Sequence, residues 1–372
     1  DVSPKDILCF GFNQDATCLS VGLRTGYRIY VCRPFSQCLG VVDGGIGLVE
    51  MLFSSSLVAL VGNGDRPAFS PRRLRLWNTK KANAICEVNF HTSVLAVKLN
   101  RKRVVVCLRE ALHVFDIADM KCLQTLETAP NPHGVMALSP NEEKCHLAFP
   151  GGSQGGGKRG GGGAGEVILY DALTLKVLNK VVACRSRVVA VCFSRDGKLL
   201  ATASEQGTVV RVFTVPAAVK ICTLRRGSTS CNVYSMSFNK ASTRLAVSSS
   251  HRTIHIFDVT ANSTVRGGWG GGATGRSGNS NTSSAGGGAN SLGRGGGGDK
   301  YTESRGTSNE DSKEEVEGRI TAGGLVTGLR TVVGFLPQRM TVRVTDYVDS
   351  CRSFASARLH ANAGRSICAL VP

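Results

Sequence analysis

An all-β chain folded as a seven-bladed β-propeller of the WD-repeat type is the prediction, and three observations carry it. Short apolar–polar alternations bounded by Gly, Asn and Asp recur along the chain, which is the pattern of strands joined by hairpins. The third strand of each unit closes on an aromatic, at Tyr30, Trp77, Phe115, Tyr170, Phe213 and Phe257, with spacings of 47, 38, 55, 43 and 44 residues. Helical periodicity is nearly absent. A recurrence of about 40–45 residues with three or four strands per unit belongs to propeller blades.

The units read in order. Ile7-Leu8-Cys9-Phe10-Gly11-Phe12 leads through Asn13-Gln14-Asp15 to Cys18-Leu19-Ser20-Val21 and then Tyr27-Arg28-Ile29-Tyr30. Val189 to Phe193 leads through Arg195-Asp196-Gly197 to Leu199-Leu200-Ala201-Thr202 and Val209 to Phe213. Val233 to Phe238 leads to Leu245-Ala246-Val247-Ser248 and Ile254 to Asp258. The long 55-residue interval contains a glycine run, and removing its 15 residues returns it to 40. Closing aromatics such as Phe115 and Phe257 are expected between blades, Asp116 and Asp258 at turns, and Arg28, Arg75 and Lys98 on solvated strand faces.

Composition sets the limits. Residues 151–165 and 261–317 hold 26 of the 45 glycines, so both read as insertions in an otherwise ordinary globular chain. The expected organisation is one propeller over 1–372, with the first insertion in blade 4 and the second, partly acidic, in blade 6. The roughly 300 remaining residues, at about 42 per blade, give seven blades. The chain carries 45 Lys and Arg against 27 Asp and Glu, a net +18. The insertions account for +2 and −1, leaving +17 on the ordered part, a fixed potential that attracts anionic partners. No stretch approaches the 18 apolar residues of a spanning helix, and Asp1-Val2-Ser3-Pro4-Lys5 is no signal peptide. The 14 cysteines are scattered among apolar runs without a C-x-x-C pair, which suits free thiols in a reducing compartment better than zinc or disulfides.

Catalytic signatures fail on context. Gly151-Gly152-Ser153-Gln154-Gly155 matches G-x-S-x-G, and Gly152 to Lys158 nearly matches a phosphate-binding loop, but neither has the required strand before and helix after. No metal-ligand spacing or paired acid–base constellation stands out. An enzyme, a cofactor, a metal and a nucleic-acid partner are therefore not expected. The informative stretch is Leu224-Arg225-Arg226-Gly227. Successive side chains of an extended strand leave opposite faces, so the two arginines would reach two pockets. Guanidinium suits bidentate recognition of phosphate, and Gly227 would let the chain turn at once. Standing alone, Arg-Arg-Gly reads first as an exposed basic turn.

It does not stand alone. Leu224-Arg225-Arg226-Gly227 resembles the F/L-R-R-G motif of the PROPPIN family, β-propellers that bind polyphosphoinositides, and the similarity is closest to its WIPI-type autophagy members. Leu99-Asn100-Arg101-Lys102-Arg103-Val104-Val105-Val106, Pro130-Asn131-Pro132, Ala137-Leu138-Ser139 and Leu147-Ala148-Phe149-Pro150-Gly151 resemble family strands of blades 3 and 4. Leu200 through Phe213 resembles the fifth blade almost residue for residue. The similarity covers about 1–260 and returns weakly at Ser353-Phe354-Ala355 and Arg365-Ser366-Ile367-Cys368-Ala369.

The resemblance implies two headgroup sites for phosphatidylinositol 3-phosphate or 3,5-bisphosphate. The first would use Arg225, Ser204, Thr208 and Arg211. The second would use Arg226, Ser248, Ser249, Thr253 and His255. Hydroxyls and guanidinium groups are strong donors to phosphate oxygens. One departure stands in the second site, where Ser250-His251-Arg252 replaces the family's Asp-Lys-Gly. The segment 261–317 falls where the family has its membrane-entering loop, yet it offers only Trp269 and Leu292 amid Gly, Ser and Asn, and then Glu310-Asp311 and Glu314-Glu315. Downstream, Leu325, Val326, Leu329, Val332, Val333, Phe335 and Leu336 fit either one helical face or a blade strand.

The implied role is a cytoplasmic, peripheral adaptor on autophagosomal-precursor or endosomal membranes. It would recruit lipidation machinery through blades 2 and 3, with Arg101 and Arg103 contributing. The alternative is a soluble protein–protein scaffold that uses the same basic rim for an acidic partner. If both arginines point into solvated pockets, replacing the pair abolishes phosphoinositide binding and leaves thermal unfolding unchanged.

Overall fold

The computed structural model describes residues 3–151, 165–259, 318–320, 330–333, 340–344, 353, 355–359 and 365–371, with the backbone alone described for the strands between 318 and 344. Among these, every element is a strand except two three-residue 3-10 helices, Pro4–Asp6 and Pro67–Phe69. The first blade is β1 (Ile7–Phe12), β2 (Cys18–Leu23), β3 (Gly26–Cys32) and β4 (Phe35–Val42). The second is β5 (Ile46–Met51), β6 (Leu57–Gly62), β7 (Arg73–Asn78) and β8 (Asn83–Asn89). The third is β9 (Ala96–Leu99), β10 (Arg103–Cys107), β11 (Ala111–Asp116) and β12 (Cys122–Glu127). The fourth is β13 (Ala137–Leu138), β14 (His146–Pro150), β15 (Glu166–Asp171) and β16 (Lys176–Val182). The fifth is β17 (Val188–Phe193), β18 (Leu199–Ser204), β19 (Val209–Thr214) and β20 (Lys220–Arg225). Each is an antiparallel meander in chain order.

The expectation of seven blades is wrong: six form among the described residues. The sixth sheet takes β21 (Val233–Phe238), β22 (Arg244–Ser249) and β23 (Thr253–Asp258), then draws β24 (Gly318–Ile320), β26 (Met340–Val344) and β27 (Ala355–Arg358) from the tail, in the order β21-β22-β23-β27-β26-β24. What remains is β25 (Arg330–Val333) paired with β28 (Cys368–Val371), a two-stranded ladder and not a blade. The division of length by blade period treated the whole tail as regular blade sequence. The closing aromatics number six, and each marks one of the six blades.

Those aromatics explain how blades stack. Phe115 packs with second-blade residues Ala59, Val61, Leu74 and Leu76. Tyr170 packs with the third blade, Phe213 with the fourth and Phe257 with the fifth. Each ring thus fills the gap to the preceding blade, where a large flat side chain buries the most apolar area. Tyr30 packs in the first-blade cluster that also receives Ile367 from the tail, while Cys368 and Leu370 pack on the sixth blade. The repeat extends to irregularities. In five blades the ladder between third and fourth strands shifts register immediately before the aromatic, as at Leu169/Tyr170 and Val212/Phe213, a bulge that bends the outer strand.

Turn chemistry follows the sequence. After β17, Gly197 adopts φ +69, and the Asp196 carboxylate accepts from the Ser194 hydroxyl at 2.6 Å and the Lys198 N–H at 3.2 Å. Between β1 and β2, the Gln14 amide reaches sideways. Its Nε2 donates to the carbonyls of Met51 (2.7 Å) and Leu99 (2.9 Å), and its Oε1 accepts from the Phe53 N–H at 2.7 Å. One side chain therefore ties the first three blades together. By contact pattern, Asp1–Ser263 and Val316–Pro372 make one unit, and 264–315 lie outside the described residues. The glycine run after Pro150 falls between β14 and β15, and residues 152–164 are likewise outside them.

Candidate functional site

The fifth blade sorts its two arginines by strand geometry. Directly opposed residues of an antiparallel pair share a face. Val209 opposes Arg225, Arg211 opposes Thr223, and Thr202 opposes Arg211. Alternation adds Ser204, Leu200 and Phe213 to that side, the last two packed against the fourth blade. Arg225, Arg211 and Ser204 of the first expected site therefore share the face toward blade 4. Arg225 is exposed, Arg211 half-buried and Ser204 buried. Thr208 sits in the β18–β19 turn, where its carbonyl accepts from the N–H groups of Arg226 (2.9 Å) and Gly227 (3.3 Å).

Arg226 leaves toward blade 6, on the side where Cys222 and Leu224 pack with Leu245, Val247 and Phe257. It is 6% exposed. Its Nε donates to the Gly207 carbonyl at 3.0 Å, its Nη1 meets His251 Nδ1 at 2.8 Å, and its Nη2 donates to the Thr229 carbonyl. His251 therefore accepts through Nδ1. A guanidinium has five N–H groups, so two stay available. Among the described residues no ion pair involves Arg211, Arg225 or Arg226, although other arginines do form them, as Arg103 does with Asp116. Arg225 projects outward, exposed, whereas Arg226 is buried. Arg226 is an internal strut, and replacing it must affect the fold.

The remaining residues of the second expected site divide. Val247 opposes His255, so His255, Thr253 and Ser249 face blade 5 with Arg226. Ser249 is buried, and among the described residues its hydroxyl has no oxygen or nitrogen hydrogen-bond partner, only the neighbouring Cys231 thiol, a costly state for a polar group. His255 Nε2 lies 3.0 Å from Thr253 Oγ1 and Nδ1 lies 3.1 Å from Ser353 Oγ. Burial, then the nearby Arg226 and His251, push the His255 pKa down to about 4, so the ring is neutral near pH 7. Ser248 points the other way. It is fully buried on the opposite face and donates to the Ser366 carbonyl at 3.0 Å, which removes it from the group around Arg226.

One glycine assignment also changes. Gly227 has no left-handed backbone and a Cβ there would meet nothing within 4 Å, so the turn does not require glycine. Gly207 does require it: φ is +62 and a Cβ would lie 2.0 Å from the Cys231 carbonyl oxygen. In the sixth blade Arg252, standing in place of the family's glycine, takes φ +57, a conformation that suits glycine far better than a side chain.

Sequence reasoning missed Arg358. Thr253 opposes Arg358 on β27 as Val209 opposes Arg225 on β20, so Arg358 occupies Arg225's position one blade on and faces Arg226. The signal was present, because Ala355-Ser356-Ala357-Arg358 repeats the small, hydroxyl, apolar, arginine order of Cys222-Thr223-Leu224-Arg225. Of the expected partner-recruiting residues, Arg103 is committed internally, with Nη1 2.8 Å from Asp116 and Nε donating to the Ala172 carbonyl at 2.8 Å. Arg101 is exposed, stacks over Phe53 at 4.7 Å and pairs loosely with Glu142 at 3.6 Å. Arg101, Phe53 and Glu142 border a cavity of about 680 Å³ that Arg195 also lines. The expected loop residues Trp269 and Leu292 lie outside the described residues, as do Leu325, Val326, Leu329, Phe335 and Leu336. Val332 and Val333 belong to strand β25, not to a helix. No helix among the described residues is long and apolar enough to cross a membrane.

Comparison with known proteins adds five findings. The family model described as PROPPIN matches residues 6–279. Autophagy-related protein 18 of Yarrowia lipolytica is 44% identical over 262 residues, covering 67% of this chain and 66% of that protein. Autophagy-related protein 18 of Mycosarcoma maydis is 44% identical over 291 residues, 74% of this chain and 62% of that one. The matches thus span under two thirds of either relative. Among solved structures, a complex of KlAtg21 with the coiled-coil of AgAtg16 is similar at TM-score 0.61 and 34% identity, over 68% of this chain and 81% of that one. Kluyvelomyces marxianus Hsv2, at TM-score 0.59 and 21% identity over 68% and 76%, shares the fold.

Proposed function

The chain belongs to the PROPPIN family, and from that membership we propose that it is a non-enzymatic, phosphoinositide-binding adaptor acting peripherally on cytoplasmic faces of autophagosomal-precursor or endosomal membranes. Phosphatidylinositol 3-phosphate and 3,5-bisphosphate are the proposed ligands. The observation that carries the reading is the pair Arg225 and Arg226, which leave blade 5 on opposite faces with no carboxylate partner among the described residues. A cation beside hydroxyls and without a counter-ion is suited to phosphate. Site one comprises Arg225, Arg211, Ser204 and Thr208. Site two comprises Arg226, Ser249, Thr253, His255 and, by register, Arg358. Two weak sites on one rigid body gain through effective concentration when both engage one bilayer. The net charge of +18 adds long-range attraction to anionic lipid.

Segment 261–317 is proposed as an insertion within the sixth blade and 151–165 as one within the fourth. Recruitment of autophagy proteins is proposed through Arg101, an exposed cation of blade 3; the KlAtg21 structure contains a coiled-coil partner. A scaffold binding the same proteins without lipid is the competing reading.

Vesicle flotation tests the proposal. Wild type should float with vesicles carrying phosphatidylinositol 3-phosphate or 3,5-bisphosphate, and Arg225→Thr should weaken this at least tenfold. Equal flotation by Arg225→Thr, or binding indifferent to phosphoinositide, would overturn it.

A further inference from the structure

We propose that the outer strands of the fourth and fifth blades form an additional apolar–basic contact with an anionic bilayer, separate from the two headgroup sites. The inference rests on the phosphoinositide reading and extends it to a surface. Seven large hydrophobic side chains are exposed among the described residues, and four of them fall here: Val177 (56%), Leu178 (36%) and Val182 (81%) on β16, and Val219 (58%) just before β20. Asn179 Nδ2 donates to the Pro216 carbonyl at 3.2 Å, which fastens β16 to the turn that carries Val219. The two edges therefore adjoin, with Val177 and Val182, which oppose Tyr170 and Glu166, on the blade 3 side of β16. Exposed apolar residues scattered singly need no explanation, but a contiguous group marks an interaction surface.

Charge selects the occupant. Lys176 and Lys220 are exposed at the patch, and among the described residues neither pairs with a carboxylate. Lys180, 63% exposed, has only Glu166 at 4.0 Å. Lysines on an edge strand discourage an added protein strand, whereas valines interleaved with lysines suit the boundary between headgroups and acyl chains. The uncharged edge β4, by contrast, exposes Phe35 and Val42 without any lysine. Register supplies continuity with the proposed headgroup site. Glu166 opposes Val182 in blade 4 as Val209 opposes Arg225 in blade 5. Val182 thus stands at the same end of its blade as Arg225, while Val177 and Val219 stand at the other end, so the surface runs the length of both outer strands.

Val177→Thr, Val182→Thr and Val219→Thr combined keep shape and strand preference while removing apolar area. Binding is measured two ways: to soluble inositol 1,3-bisphosphate, and to vesicles of phosphatidylcholine and phosphatidylserine with or without phosphatidylinositol 3-phosphate. The triple variant should hold the soluble headgroup as wild type does and lose about tenfold in partition onto phosphoinositide vesicles. Val182→Glu, a single change at an exposed position, should lose as much by repelling anionic lipid. Unchanged vesicle binding by both variants would overturn the inference while leaving the headgroup reading intact. Failure of wild type to bind either headgroup or vesicle would sink both together.

Discussion

Arg225 and Arg226 are adjacent and chemically identical, yet the structure requires them to differ when replaced. Arg225 is exposed and, among the described residues, forms no ion pair, so Arg225→Ala should change stability by no more than about 0.5 kcal/mol. Arg226 is buried and gives three hydrogen bonds, to Gly207, Thr229 and His251. Hydrogen bonds to a charged group contribute about 1.5–3 kcal/mol each. Against them stands the penalty of burying the guanidinium, several kcal/mol, which truncation relieves. Truncation also leaves two carbonyls and an imidazole nitrogen without a donor, at about 1–3 kcal/mol apiece where water cannot enter. The lost bonds and the orphaned acceptors describe the same three contacts, and relief of burial offsets part of their value, so the net loss for Arg226→Ala is about 3 kcal/mol. At roughly 2–4 °C per kcal/mol for a domain of this size, its midpoint falls by about 6–12 °C. Thermal and urea unfolding of the two single variants provide the measurement, with flotation run well below both midpoints. If Arg226→Ala unfolds within a degree of wild type, or Arg225→Ala loses as much, the division into free cation and internal strut is wrong. The double replacement then cannot serve as a clean binding test, and Arg225 alone should be used.

Two further outcomes follow from backbone and titration. Arg252→Gly should raise stability by about 0.5–1 kcal/mol, because a side chain at φ +57 is strained, while Gly207→Ala should lower it by more than about 2 kcal/mol through contact with the Cys231 carbonyl; urea midpoints compare them. His255 has a folded pKa of about 4 against 6.5 in its ordinary state, so the unfolded chain takes up its proton first on acidification. The stability that its neutrality provides is complete above pH 6.5, is lost as pH falls toward 4 and amounts to at most about 3 kcal/mol. His255→Gln should flatten that part of a stability–pH curve, and an unchanged slope would exclude His255 as its source.

Much of the architecture was legible because strand alternation and turn residues are local. Ile7–Phe12, Val188–Phe193 and Val233–Phe238 lie where apolar alternation places them. The blade number was misjudged although six aromatics were in view, since an average length per blade was applied to a tail without their pattern. Within the site, the rule that separates Arg225 from Arg226 also separates Ser248 from Ser249, and applying it to the serines would have set Ser248 aside. The burial of Arg226 was not legible. Its partners are backbone carbonyls of Gly207 and Thr229, groups every residue possesses. Arg358 required knowledge that a strand about 100 residues downstream completes the sixth sheet.

The Gln14 amide has a consequence for how the molecule comes apart. Neighbouring blades of a propeller can in principle loosen one at a time, as units of a repeat array do. Here Met51, Phe53 and Leu99 all depend on one side chain rooted between β1 and β2. Prising open the first blade would strand polar groups in the second and third, so the N-terminal half should exchange its slowest amide protons as a single cooperative block.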